Sequence, residues 1–270
     1  MVRAGDQVTI RDASFSSASL GRAMKYRILF PAGYERSTSR YPVLYLLHGL
    51  TGAYSDWESR THLAQYAQPL QLIMVMPDAG DSWYTNSVTV PQDKFEDYIA
   101  NDLIREIDQH YRTIASRHGR AIAGLSMGGY GALKLGLKYP GRFAFAASFS
   151  GALDVARDPA FAGSYQEEIA KIFGPENDAV RKQNDVFALA QSADPSRLPF
   201  LYFDCGTEDQ FANSNREFAA LLQQRKIAHE YRELPGAHDW QYWDRQLPEM
   251  LRVMAAHIPI GAESRVARLR

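Results

Sequence analysis

The run Gly124-Leu125-Ser126-Met127-Gly128-Gly129 constrains this chain more than any other stretch. It stands between a short apolar segment, 120–123, and a helix-like segment, 130–139. A G-x-S-x-G run where a strand turns straight into a helix predicts a nucleophile elbow, because the sharp turn strains the serine and only small neighbours tolerate it. Gly124 and Gly128 supply that room. Ser126 Oγ is then expected at the carboxyl end of a sheet. The Met127 N–H, at the positive end of the following helix, points where an oxyanion would form.

The rest of the chain alternates in the way an α/β-hydrolase requires. Segments 7–15 and 22–29 read as an antiparallel pair joined by a Ser/Gly turn. Segment 41–47 is a continuous apolar strand of the kind buried on both faces of a parallel sheet. It runs into His48-Gly49-Leu50-Thr51-Gly52, the loop that in this fold contributes the second oxyanion N–H. Gly49 permits the tight turn, Leu50 is the expected donor, and the His48 imidazole is read as orienting the loop. A helix is expected over 59–67 and a buried strand over 72–76. The loop after that strand carries Trp83 and Tyr84, which are pocket candidates because loops at strand carboxyl ends hold ligand contacts.

Apolar residues at Phe95, Ile99, Leu103, Ile107 and Tyr111 predict one long helix leading into the nucleophile strand. After a strand at 143–150 the alternation breaks. Segment 154–198 holds two weakly amphipathic stretches, 165–173 and 178–190, and is read as a lid insertion within a single domain spanning 1–270, since its apolar content is too thin for a core of its own. Strand 199–206, helix 213–225, strand 229–234 and a final helix over 240–257 complete the pattern.

A serine nucleophile needs a base and a carboxylate, which in this fold follow in the order Ser, Asp/Glu, His. Ser126, Asp209 and His238 supply that order, each after a strand. Among the seven histidines, His62, His110, His118 and His257 fall in or beside helices and His229 opens a strand, which leaves His238 in a loop. Asp204 lies inside its strand. Glu208 and Asp209 both occupy the following turn, and Asp209 is favoured. Asp239 is read as a cap for the final helix.

Composition narrows the alternatives. A formal charge of −1 implies no basic face for nucleic acid, and the single cysteine, Cys205, excludes an internal disulfide framework. There is no H-E-x-x-H and no dinucleotide or P-loop glycine pattern, so neither a metal nor a nucleotide cofactor is expected. No apolar run reaches the roughly 20 residues of a membrane span. The opening residues lack an apolar core of signal-peptide length, so the expected compartment is the cytoplasm, or the exterior where a leader has been removed.

With these motifs in hand the chain resembles the esterase D (putative esterase) family of α/β-hydrolases. That family includes S-formylglutathione hydrolases, tributyrin-type esterases, feruloyl and acetylxylan esterases of carbohydrate esterase family 1, and antigen 85 mycolyltransferases. The resemblance rests on 47–52, on Pro77-Asp78-Ala79-Gly80 with Trp83-Tyr84, on 124–132, on Cys205-Gly206-Thr207-Glu208-Asp209, and on Gly236-Ala237-His238-Asp239-Trp240. It implies Ser126 as nucleophile, Asp209 and His238 as its partners, and Leu50 with Met127 as oxyanion donors. The His238-Asp239-Trp240 segment is more similar to the tributyrin-esterase and carbohydrate-esterase branches than to the S-formylglutathione hydrolases.

The expected activity is hydrolysis of short-chain or aromatic acyl esters, with thioester hydrolysis or mycolyl-type acyl transfer as alternatives. The pocket is expected to be bordered by Trp83, Tyr84 and Trp240. The expected partner is a small-molecule ester, and because the family contains dimers a second copy of the chain is a further candidate.

Overall fold

The computed structural model describes residues 7–158, 165–175 and 179–260. One eight-stranded sheet organises them, in the order β1-β2-β4-β3-β5-β6-β7-β8. β1 (Thr9–Ser17) pairs antiparallel with β2 (Arg22–Phe30), from Thr9 opposite Phe30 to Ser17 opposite Arg22, and β2 pairs antiparallel with β4 (Ile73–Pro77). From β4 onward every neighbour is parallel: β3 (Val43–Leu47), β5 (Arg120–Leu125), β6 (Phe145–Phe149), β7 (Phe200–Gly206) and β8 (His229–Leu234). This is the α/β-hydrolase arrangement. The central strands β3, β4 and β6 are buried at every residue, which is why they read as unbroken apolar runs rather than alternating ones.

Apolar side chains from the two faces of the sheet build separate cores. Tyr45, Ile73, Val75 and Ile122 pack on one side with the central helix, whereas Leu44, Leu46, Met74 and Ala123 pack on the other with the final helix. That central helix, which follows the elbow, covers Met127–Lys138 and buries all but its last residue. The final one covers Trp240–Met254.

Three expected elements differ in form. The helix expected over 59–67 is two short helices, α1 (Asp56–Arg60) and α2 (Leu63–Ala67). They part at Thr61, which is extended, and at His62, whose N–H and Nδ1 both engage the Asp244 carboxylate at 2.8 and 2.7 Å, so a contact 182 residues away overrides local helicity. The long helix leading to β5 is not uniformly α-helical: α3 (Phe95–Asp97) passes through a π-helical stretch, Tyr98–Leu103, into α4 (Ile104–His110). The strict four-residue apolar repeat explains this, because 3.6 residues per turn would rotate the stripe off the core and the wider π turn restores it.

Of the insertion expected at 154–198, residues 159–164 and 176–178 lie outside the described residues. The described part forms α6 (Gln166–Phe173), α7 (Ala179–Asn184) and α8 (Val186–Ser192). The expected amphipathic stretch 178–190 is thus split at Asp185, whose side chain caps the Phe187 N–H at 2.9 Å. Ile169, Phe173, Val186 and Ala190 join the same core as the central helix, α5 (Met127–Lys138), and Tyr130 of α5 donates its hydroxyl to Asn184 O at 2.7 Å. α9 (Ala212–Gln224) and α10 (Trp240–Met254) flank β8.

Candidate active site

The elbow has the geometry that its glycines require. Ser126 sits at φ 53°, ψ −116°, a conformation that a residue with a side chain adopts only under constraint from its surroundings. Its N–H donates to Phe149 O at 2.9 Å, and its carbonyl accepts from Tyr130 N at 3.0 Å and from Ala152 N at 3.2 Å. A Cβ at Gly128 would lie 2.5 Å from Leu47 O and 2.6 Å from His48 O, so only glycine lets α5 start this close to the end of β3. At Gly124 a Cβ would run into the backbone of Gly128 itself.

Three side chains from distant parts of the chain meet at this point. His238 Nε2 lies 3.0 Å from Ser126 Oγ, and its Nδ1 lies 2.9 Å from Asp209 Oδ2. The other oxygen, Asp209 Oδ1, accepts the Phe211 N–H at 2.9 Å. Ser126 follows β5, Asp209 follows β7, and His238 lies between β8 and α10. Burial pushes the Asp209 carboxyl up, but the hydrogen bond and charge of His238, the Phe211 N–H and the Ser150 hydroxyl outweigh it and hold the group below the usual aspartate range. Glu208, the alternative acid of that turn, is exposed, and the two acids given other roles stand elsewhere. Asp204 is buried within β7, and Asp239 caps α10 by accepting the Tyr242 N–H at 2.8 Å.

The 48–52 loop lies against the elbow: a Cβ at Gly49 would come 2.6 Å from Leu125 Cδ1 and 3.6 Å from Ser126 Cβ. Neither the Leu50 N–H nor the Met127 N–H has a hydrogen-bond partner among the described residues. The loop is fixed from behind. His48 is buried; its Nε2 accepts the Ala79 N–H at 3.1 Å and its Nδ1 donates to Gly49 O at 2.8 Å. With the Gly49 carbonyl held by the imidazole, the following peptide N–H is left for another acceptor.

A cavity of about 640 Å³ opens over Ser126, with Leu50, Trp83, Ile169, Phe211, Trp240 and Trp243 among its walls. Of the pocket candidates, Trp83 and Trp240 are in that wall. Tyr84 is not. It is fully buried behind the loop, where its hydroxyl donates to His48 O at 2.8 Å and its ring fills the space beside Gly131. The two residues share left-handed backbone, φ 53° and 52°, and this turn sends their side chains to different surroundings.

Sequence reasoning missed the support beneath this loop. Lys134, fully buried in α5, donates to Tyr84 O at 2.7 Å and Thr85 Oγ1 at 2.6 Å and pairs with Glu96 Oε2 at 2.8 Å. Burial presses its ammonium down to about 8 against the opposing pull of Glu96. A lysine in the middle of an apolar helix was the available signal. Phe211 and Trp243, which pack edge-on to the His238 ring at 5.0 Å on either count, carried no signal at all. Among the described residues no three His, Cys, Asp or Glu side chains gather as a metal-binding set, and no helix is long and apolar enough to cross a membrane.

Comparison with known proteins agrees with this architecture. Residues 17–254 match the family described as "Putative esterase". An acetyl esterase of Caldicellulosiruptor saccharolyticus is 28% identical over 220 residues, covering 78% of this chain and 82% of its own length. An esterase of Mycobacterium tuberculosis (strain ATCC 25618 / H37Rv) is 32% identical over 284 residues, covering 95% of this chain, which spans 58% of that relative's length. The solved structure of a ferulic acid esterase is similar with a TM-score of 0.76 at 27% identity, covering 92% of this chain and 99% of that one.

Proposed function

The chain belongs to the Putative esterase family and is a carboxylic ester hydrolase, and from that premise we propose that it is a serine esterase that cleaves short-chain or aromatic acyl esters through an acyl-enzyme. The observation that carries the reading is the unbroken relay Ser126 Oγ, His238, Asp209, with hydrogen-bond distances of 3.0 and 2.9 Å.

Ser126 Oγ–H donates to His238 Nε2, and as Oγ attacks the ester carbonyl that proton passes to the imidazole. Asp209 holds the ring with Nδ1–H toward itself and stabilises the imidazolium. The carbonyl electron pair collects on the oxygen, which rests on the Leu50 and Met127 N–H groups; each such donor is worth about 3 kcal/mol in comparable sites. The tetrahedral species then expels the alkoxide, which takes the proton from His238 Nε2. Water, deprotonated by the same imidazole, attacks the acyl-Ser126 ester and releases the acid. Trp83, Trp240 and Trp243 in the cavity wall favour an apolar or planar acyl group, and the acetyl esterase and ferulic acid esterase among the similar proteins bracket that range.

Replacing Ser126 with Ala is expected to lower kcat on p-nitrophenyl acetate or butyrate by about 10⁴-fold or more with the fold intact by circular dichroism. Near wild-type turnover in that variant would dismiss Ser126 as nucleophile. Comparing kcat/KM across p-nitrophenyl esters of increasing acyl length, methyl ferulate, acetylated xylan and S-formylglutathione assigns the substrate. A dominant preference for the thioester would replace the ester reading with the thioesterase one.

A further inference from the structure

We propose that Asp81 is a positioning residue of this site: its carboxylate pins the Gly49–Gly52 turn in a strained form and so keeps the Leu50 N–H aimed at the oxyanion. The inference rests on the esterase mechanism given above.

The turn closes through the Gly52 N–H, which donates to Gly49 O at 3.1 Å. Thr51, the third of its four residues, stands at φ 58°, whereas Leu50 before it keeps a negative φ. That is the pattern of a type II turn, whose third position favours glycine because a side chain there is crowded by its own backbone. A β-branched residue is among those least suited to it. Left to itself, Thr51 relieves the crowding by rotation of the Leu50–Thr51 peptide to a negative φ, which converts the turn to type I.

Asp81 opposes that rotation. Its Oδ1 accepts the Thr51 N–H at 2.6 Å, and a backbone N–H bound to a carboxylate makes a bond roughly twice as strong as one between neutral groups. Rotating the peptide swings the N–H off the carboxylate. The neighbouring peptide, Gly49–Leu50, carries the oxyanion donor and is held at its carbonyl by His48 Nδ1 at 2.8 Å. The two peptides meet at the Leu50 Cα, so freeing one loosens the other. The loop after β4 thus grips the oxyanion loop at two points, since the Ala79 N–H donates to His48 Nε2 at 3.1 Å and Asp81 accepts from Thr51. Asp81 does so from outside the catalytic cavity: Thr51 stands in the wall of that cavity, while Asp81 lines a separate one of about 310 Å³.

Asp81→Ala removes the acceptor without touching the catalytic wall. It is expected to lower kcat on p-nitrophenyl butyrate about ten- to thirtyfold with KM within about twofold, because the oxyanion forms only after the substrate is bound. Affinity for a trifluoromethyl ketone, whose adduct with Ser126 carries an equivalent oxyanion, is expected to fall by a similar factor. Asp81→Asn retains an oxygen acceptor and is expected within about threefold of the wild-type kcat. Adding Thr51→Asn to the Asp81→Ala protein is expected to raise kcat by about threefold or more, since asparagine takes the left-handed form more readily.

A folded Asp81→Ala protein with wild-type kcat overturns the inference, as does one whose KM rises while kcat holds or whose ketone affinity is unchanged. An Asp81→Asn protein as slow as Asp81→Ala overturns it too, and so does a Thr51→Asn addition that recovers nothing. Should Asp81→Ala fail to fold, Asp81→Ser, whose hydroxyl ends one bond short of the carboxylate oxygen, carries the same test with the same readings. An inactive Ser126→Ala beside a wild-type-like Asp81→Ala defeats this inference alone, whereas an active Ser126→Ala defeats the esterase mechanism beneath it.

Discussion

Asp204 and Asp209 are five residues apart and both buried, yet their surroundings drive their carboxyls in opposite directions. Asp209 has the His238 ring and the Phe211 N–H to accept from, so its ionised form is favoured. Asp204 lies within β7 among apolar neighbours, and burial pushes it up to about 7 despite the Tyr242 and Tyr202 hydroxyls and Arg232. The folded protein therefore keeps a proton on Asp204 between the ordinary aspartate value of 3.8 and about 7, where the unfolded chain has lost it. Stability drawn from that group is present at low pH and falls as pH rises through this window. Asp204→Asn is expected to remove that decline and, at pH 8, to raise stability by on the order of 2 kcal/mol relative to the wild type. Urea denaturation of both proteins at pH 5 and pH 8 checks it, and a pH-independent difference would refute the assignment.

Helix α5 does two jobs at opposite ends. Its first turn follows Ser126 directly, and four residues before its end sits a fully buried lysine. Lys134 reaches Glu96, 4% exposed, which Lys138 and the Tyr139 hydroxyl also contact at 2.7 Å each. Burial alone would raise Glu96, but the two ammonium groups hold it down to about 2 from 4.5. Its contribution to stability is thus complete above pH 4.5 and disappears as pH falls toward 2. Glu96→Gln removes the charge that keeps Lys134 protonated and leaves the buried amine with neutral partners only, a change that costs about 3–5 kcal/mol in comparable pairs. The expected result is a lower urea midpoint at pH 7 together with a flatter dependence between pH 4.5 and 2. Because Lys134 also holds Tyr84 O, and Tyr84 holds His48 O, the loss is expected to reach kcat through the Leu50 loop.

Across the whole molecule, the relay is drawn from the carboxyl ends of β5 and β7 and from the segment after β8, three strands of one continuous sheet. No single strand or helix supplies more than one of the three groups. Loss of esterase activity on heating is therefore expected to coincide with loss of the sheet's far-ultraviolet signal, with midpoints within about 2 °C; this is the behaviour of a site that cannot come apart before its scaffold does. A clear loss of activity before the circular dichroism changes would locate a separately melting element, with α6 and its Tyr165 and Ile169 contacts to the cavity as the first to test.

Much of this was legible in the residues because each signal was local. A strand, G-x-S-x-G and a helix read in order specify Ser126, since the steric demand of the turn is written into the glycines on either side. The apolar runs of β3, β4 and β6 announce strands covered on both faces, and the order of Ser126, Asp209 and His238 follows the path of the chain. What the sequence could not contain was any contact whose partners come together only when the sheet closes. His62 finding Asp244 breaks a helix that its own neighbours favour, and Tyr84 turns inward to His48 while Trp83 faces the cavity. Lys134 is buried only because Glu96 arrives from another element to meet it. Propensity and periodicity act over a few residues, whereas burial and hydrogen-bond pairing are settled by groups scores of residues apart, so the chain spelled out the elbow serine, and the packing chose what surrounds and supports it.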